Sequence, residues 1–219
     1  MIGLPKQNLS DVEKSVQKVI SLNPEHVSVY SLMVEEGTSL EKQIQEGKLI
    51  LPKEELERKE YWAVKNLLEA SGYEHYEISN FAKPEKESRH NLDCWEQKEY
   101  LGFGVAAHSY TDGVRYSNTT NLEEYIRNYQ EKKPENNFIF HEKQDEEAQK
   151  KEYMLLGLRK IKGVQISKFK EKFAENPIYR YHFELDQLVK DGLLEVDDDW
   201  IYLTDRGIDL ANIVWEKFV

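Results

Sequence analysis

The sequence predicts an α/β fold, and three observations carry that prediction. An amphipathic helix is followed by an uncharged β-branched run, a second long helix leads into another strand-like segment, and the last third mixes helical stretches with two short strands. In the first helix Val12, Val16, Val19 and Ile20 recur at helical spacing. Ser10 to Glu13 reads as its capping box and Asn23-Pro24 as its end. "HVSVYSLMV", His26 to Val34, is apolar and nearly free of charge, as a strand buried on both faces would be. "GLP" ahead of the helix reads as the tail of an earlier strand. A long helix is expected from Pro52, with Leu56, Ala63, Leu67 and Leu68 on its face and Gly72 past its end. "YEHYEIS", Tyr73 to Ser79, reads as a strand, and the polar stretch Asn80 to Glu99, with Pro84 inside it, as a long functional loop. "FGVAAHSYTDGVRYSN" reads as a hairpin turning on Asp112-Gly113, and Asn121 as the cap of a short helix to Glu131.

"EKKPENNFIFHEKQ" breaks the pattern, and a boundary is placed there, giving segments 1–133 and 134–219. Beyond it three helical stretches precede "DGLLEVDDDWIYLTDRG", in which two short strands flank an Asp turn and Thr204 caps a last helix. This order suggests a small winged-helix-like α+β domain. Such folds often bind DNA, but Asp197, Asp198 and Asp199 occupy the tip where a phosphate contact would want a cation. A packing or protein-contact role is therefore expected.

Charge and cysteine usage exclude several functions. A net charge of −11 repels a phosphate backbone, no Lys/Arg block offsets it, and nucleic acid is not an expected partner. No apolar run approaches the roughly 20 residues of a membrane-spanning helix. The start, "MIGLPKQNLSD", carries no signal-peptide pattern, and one cysteine forms no internal disulfide, so a cytoplasmic setting is expected.

Reactive and small residues concentrate in "RHNLDCWEQKEYLGFGVAAHSY", Arg89 to Tyr110. His90 lies four residues before Cys94, and imidazole and thiolate are both ligands for haem iron, with Trp95 and Tyr100 able to offer flat faces to a porphyrin. The spacing by itself equally suits a loop histidine that caps or hydrogen-bonds, and a lone cysteine is commonly a small buried hydrophobe. Gly102, Gly104, Ala106 and Ala107 would let a backbone approach a ligand or another strand closely. His108 reads as a satisfied core histidine, with a catalytic histidine as the alternative. Glu35, Glu36 and Glu77 stand at strand ends, where α/β ligands tend to bind, although most such carboxylates are solvated. No nucleophile elbow, P-loop, HExxH or paired CxxC occurs.

The segments "IGLPKQ", "VSVYSLMVEEGTSL" with "GKLILP", "GYEHYEISNFAKP", "RHNLDCW", "YLGFGVAAHSY" and the closing "GLL" and "LTDRG" occur in one order along almost the whole chain. Together they resemble the oxygen-independent coproporphyrinogen III oxidase family of radical S-adenosylmethionine proteins. "HN" followed by Trp95 looks like the HNxxYW signature of that family's haem-chaperone branch. The resemblance implies haem handling by His90, Asn91 and Trp95. Cys94 departs from it, standing where Tyr is usual and adding a second candidate ligand. It also implies that Met33 and His108 border S-adenosylmethionine, and that the fold is the later part of a partial (β/α)6 barrel followed by the winged-helix-like domain.

Members of that family hold a [4Fe–4S] cluster on a CxxxCxxC triad, which this sequence does not contain, so the chain alone is expected to be inert and Met1 to be an internal methionine. The implied partners are haem and acceptor haemoproteins. The alternatives are the oxidase itself, which decarboxylates coproporphyrinogen III to protoporphyrinogen IX, and, in another class, a winged-helix interaction module. Uncovered strand edges lead to an expectation of self-association.

Overall fold

Helix α1, Leu9–Leu22, starts before Ser10, because Asn8 caps it: the Asn8 side chain accepts from the Asp11 N–H and the Asp11 carboxylate accepts in return from the Asn8 N–H. Left-handed Asn23 ends it. The computed structural model describes residues 1–219, with every side chain except those of Phe140 and His141, as two compact units, Met1–Ser88 and Arg89–Val219.

In the first unit α1 packs on α3, Glu54–Glu69, through buried Val12 and Val16 on one side and Tyr61, Val64 and Leu68 on the other. The same unit contains a three-stranded antiparallel sheet ordered β1, β3, β2, formed by His26–Ser28, Asn80–Ala82 and Glu74–Glu77. The long strand expected over His26 to Val34 is therefore mostly absent. The partner β3 is only three residues long, and beyond it the segment gains just one parallel bridge, from Ile2 to Ser31. Tyr30 and Met33 are left exposed rather than buried on both faces. Only Ile2 pairs, its N–H donating to the Tyr30 carbonyl and its carbonyl accepting from Leu32, and Gly3, Leu4 and Pro5, expected as a strand tail, lie outside the ladder. Helix α2, Ser39–Gln45, follows on the surface with Thr38 as its cap.

β3 also corrects the expected loop from Asn80. Phe81 and Ala82 are completely buried at the centre of the sheet, and the polar look of the segment arises from residues after them. His75 stacks on Phe81 with ring centroids 4.5 Å apart, and its Nε2 lies 3.2 Å from the Tyr61 hydroxyl. Burial pushes the His75 imidazole down to about 4.

The second unit begins with helix α4, Arg89–Trp95, again where a loop was expected. Its middle is a sheet ordered β4, β5, β6, formed by His108–Thr111, Val114–Asn118 and Phe138–Lys143. Asp112 and Gly113 turn the hairpin at φ 52° and 70°, as expected. Asn121 caps α5, Leu122–Gln130, and a 3₁₀ turn at Pro134–Asn137 leads into β6, which pairs with β5 and was not anticipated.

Next come α6 (Glu146–Gly157), β7 (Val164–Gln165), α7 (Ile166–Phe173), α8 (Pro177–Arg180), α9 (His182–Lys190), β8 (Leu194–Val196), β9 (Trp200–Leu203), α10 (Asp205–Asp209) and α11 (Ala211–Trp215). The third expected helix is divided at Tyr181, whose ring joins Tyr153, Phe169 and Phe218 in an aromatic core. β9 is central between β7 and β8. A Cβ at Gly163 would lie 2.0 Å from the Ile201 carbonyl oxygen, so only glycine lets β9 pass this close.

Asp199 does not project as a free tip charge. Its carboxylate accepts from the Ser167 N–H and hydroxyl and from the side chain of Gln165, capping α7, whose own N-cap residue, Gln165, makes no side-chain capping bond to the helix backbone. The bonds from Gln165 and Ser167 hold the Asp199 carboxyl below its usual range.

His75 makes the first unit acid-sensitive. Between about pH 6.5 and 4 the unfolded imidazole binds a proton that the folded one refuses, so stability is full above 6.5 and falls as pH drops toward 4, by on the order of 3 kcal/mol. His75→Phe should flatten urea-unfolding stability over this window, and an unchanged pH slope would assign the sensitivity to other groups.

Candidate functional site

Helix α4 carries the cluster. His90 and Cys94 stand four residues apart on one face, with Cys94 Sγ 3.8 Å from His90 Nε2. The His90 side chain is exposed, and the Tyr100 ring meets it edge-on with centroids 6.2 Å apart. Burial, then the Asp93 charge, pushes the Cys94 thiol up while Arg115 opposes them, so at neutral pH Cys94 is a thiol rather than a thiolate. It is half-buried, between the buried hydrophobe and the open ligand that the sequence allowed. Asn91 follows on α4 and does not share the His90 face.

Trp95 is turned elsewhere. The Arg159 guanidinium sits 4.9 Å from the Trp95 ring centroid and 4.3 Å from that of Trp215, held between two indoles. Trp95 thereby fastens the end of α4 to α11, a role its sequence position did not reveal. The segment Leu101 to Ala107, expected to be a strand, is irregular, with Leu101 and Phe103 exposed, Phe103 at 85%. Its small residues admit the chain itself: a Cβ on Gly102 would lie 2.1 Å from the His108 carbonyl oxygen.

The remaining candidates disperse. His108 is exposed at the start of β4, not a core histidine, because its neighbour Ser109 takes the inward position and accepts from the Gly102 N–H. Met33 belongs to the first unit and is 75% exposed. Glu35 and Glu36 are solvated as expected, whereas Glu77 is buried and accepts from Ser79 and Asn80 across the turn between β2 and β3. The sequence also missed Glu60, fully buried on α3, which accepts from the Gly3 N–H at 2.9 Å while its Oε1 has no partner. Its place one turn before Val64 was the available signal.

Directly after α4, Glu96 receives three lysines: Lys168 at 3.1 Å, Lys98 at 3.4 Å and Lys160 at 3.7 Å. Burial acts to raise the Glu96 carboxyl, but the Lys168 hydrogen bond and the fields of Lys160 and Lys98 outweigh it and hold it low. Next to it Gln97 is buried, donating to Gln149 and Glu152 and accepting from Lys172.

A model of the HemN C-terminal domain matches residues 144–210. Over its full length the chain is 41% identical to the heme chaperone HemW of Bacillus subtilis, covering 57% of that protein. Against the heme chaperone HemW of Lactococcus lactis it is 36% identical, with 99% of the chain and 56% of the relative covered. The chain is thus similar to HemW along its whole length. It spans a little over half the length of these HemW relatives. Its fold is that of the Escherichia coli HemN coproporphyrinogen III oxidase, described as a radical SAM enzyme, with a TM-score of 0.76 over 99% of the chain and 52% of that structure, at 20% identity.

A [4Fe–4S] cluster does not fit the residues present: such a cluster needs three thiolates, the sequence has one cysteine, and no group of three or more His, Cys, Asp or Glu able to hold a metal gathers among the described residues. No helix among them is long and apolar enough to cross a membrane.

Arg159→Met should remove the cation between the two indoles, lowering stability by about 2 kcal/mol and altering tryptophan emission. Urea unfolding followed by fluorescence checks this, and an unchanged midpoint would mean that the clamp contributes nothing.

Proposed function

We propose that this chain is part of a radical S-adenosylmethionine haem chaperone, and that its share of the task is to hold haem for transfer to a haemoprotein. One observation carries the reading: an exposed imidazole stands in the HN signature on α4, flanked by Cys94 and Tyr100 and followed by exposed Leu101 and Phe103. Haem is the cargo here, and these residues suit it. His90 can present a ring nitrogen to iron, and the apolar side chains can cover a porphyrin face. Cys94, as a thiol, is a reserve ligand that binds only on losing its proton. Asn91, beside His90 in the HN pair, is a further candidate for haem handling, and Trp95 holds α4 from behind.

The names of the HemW relatives support the chaperone reading. The decarboxylating oxidase is the second reading, favoured by the likeness of fold to HemN and by the match to the HemN C-terminal domain. Met33 and His108, each accessible, are proposed to border S-adenosylmethionine in the intact protein, whose cluster ligands lie outside this sequence. For the fold we propose the later elements of a partial (β/α)6 barrel in 1–133 and a winged-helix-like domain in 134–219. The order α6, β7, α7, α9, β8, β9, with β9 central, supports the latter. With Asp197 to Asp199 at its turn, that domain suits protein contacts, and a cytoplasmic setting suits the single thiol.

In a full-length protein carrying this sequence, His90→Ala should shift the Soret band or weaken haem binding, and His90→Ala with Cys94→Ser should weaken it further. Unchanged spectra and affinity in the double variant would remove haem from this helix.

Self-association through the edges of the short sheets is also proposed. Light scattering on the purified chain should read more than one copy, and a monomer at all concentrations would refute it.

A further inference from the structure

Beyond the end of α4 the second unit has an open concavity of about 460 Å³, lined by Glu96, Lys98, Tyr153, Lys168, Glu171 and Lys172 with Gln97 at its floor. In a chain of net charge −11 this is an unusual place, because three lysines line it against two carboxylates, Glu96 and Glu171. Lys98, Lys160 and Lys168 converge on Glu96, and Lys98 pairs with Asp93 as well. Lys172 donates to the carbonyl and side-chain oxygens of Gln97, both neutral, and makes no ion pair among the described residues. Lys98 and Lys168 have side chains about half exposed, at 55% and 49%, so their ammonium groups face solvent with donors to spare.

The concavity is joined to the His90 face by the chain itself. Left-handed Gln97 folds the backbone so that the Lys98 N–H donates to the Asp93 carbonyl, and the Lys98 ammonium returns to the Asp93 carboxylate at 2.5 Å. Asp93 is three residues, less than one turn, from His90. A ligand with a metal at His90 and acidic groups along one edge would lie along α4 with that edge toward the lysines.

We infer that Lys98, Lys168 and Lys172 form a carboxylate seat for the two propionates of haem held at His90. The inference rests on the haem reading above and extends it by assigning which end of the porphyrin points toward the lysines. Ammonium groups serve such carboxylates as point charges, strongest where several converge on a partly desolvated site. A free inorganic anion has the same chemistry, and the two occupants separate experimentally.

The test compares ferric haem with its dimethyl ester, which keeps the iron and ring but has no free carboxylates, on the full-length protein. Haem should bind about tenfold or more tightly than the ester, one charge-assisted contact being enough for that factor. The Lys98→Ala/Lys168→Ala/Lys172→Ala variant should bind haem no better than the ester, with the Soret band unmoved, and inorganic phosphate should compete with haem but not with the ester. Equal binding of haem and ester by the unaltered protein overturns the inference without any variant, and if phosphate still perturbs the lysines the concavity serves free anions. A preference that survives the triple variant overturns it as well. The haem reading fails separately, if His90→Ala with Cys94→Ser leaves the Soret bands and affinities of both compounds where they were.

Discussion

The buried side-chain amide of Gln97 joins three elements at once. Its two N–H groups donate to the Gln149 carbonyl and to Glu152 on α6, and its oxygen accepts from Lys172 on α7. Glu152 in turn accepts from Arg115 on β5 at 2.8 Å. An amide removed from water costs about 1–3 kcal/mol for each group left without a partner, so α4, α6, α7 and the central sheet must keep one mutual geometry to satisfy it. The left-handed backbone of the same residue ends α4. The direction in which His90 and Cys94 point is therefore set at the opposite end of their helix.

What was legible in the sequence is what local chemistry dictates. α1 and α3 show an apolar face, the hairpin has the Asp-Gly that its positive φ angles demand, and Thr204 starts a helix near the end. The unread elements are those whose reasons are distant. α4 is polar, short and without periodicity, and it is helical because Arg159 grips Trp95 and because Gln97 is buried beyond it. β3 takes only three residues from a segment that looks like loop, and β6 acquires its identity from β5.

The site was legible in a different manner. His90 and Cys94 were found by residue type and by resemblance, and the helix puts them side by side. Trp95 was read as a porphyrin wall, yet its ring is spent on a cation, and the exposed apolar surface comes from Leu101 and Phe103 instead. A motif records which residues are needed and not which way they face. The same lesson applies to the three aspartates after Val196, since Asp199 looks like tip charge in the sequence and serves as a helix cap in the fold.

Gly163 has an evolutionary consequence. Where β9 runs past it, the backbone of Ile201 fills the volume that any side chain would require. Surface charges, loop lengths and even the His90 helix can be rewritten during divergence, but a mutation at 163 must be accompanied by a shift of a whole strand, a step that single substitutions cannot take gradually. This one position should act as a fixed point along lineages, allowing distant members to be brought into register after their functional motifs have drifted beyond recognition.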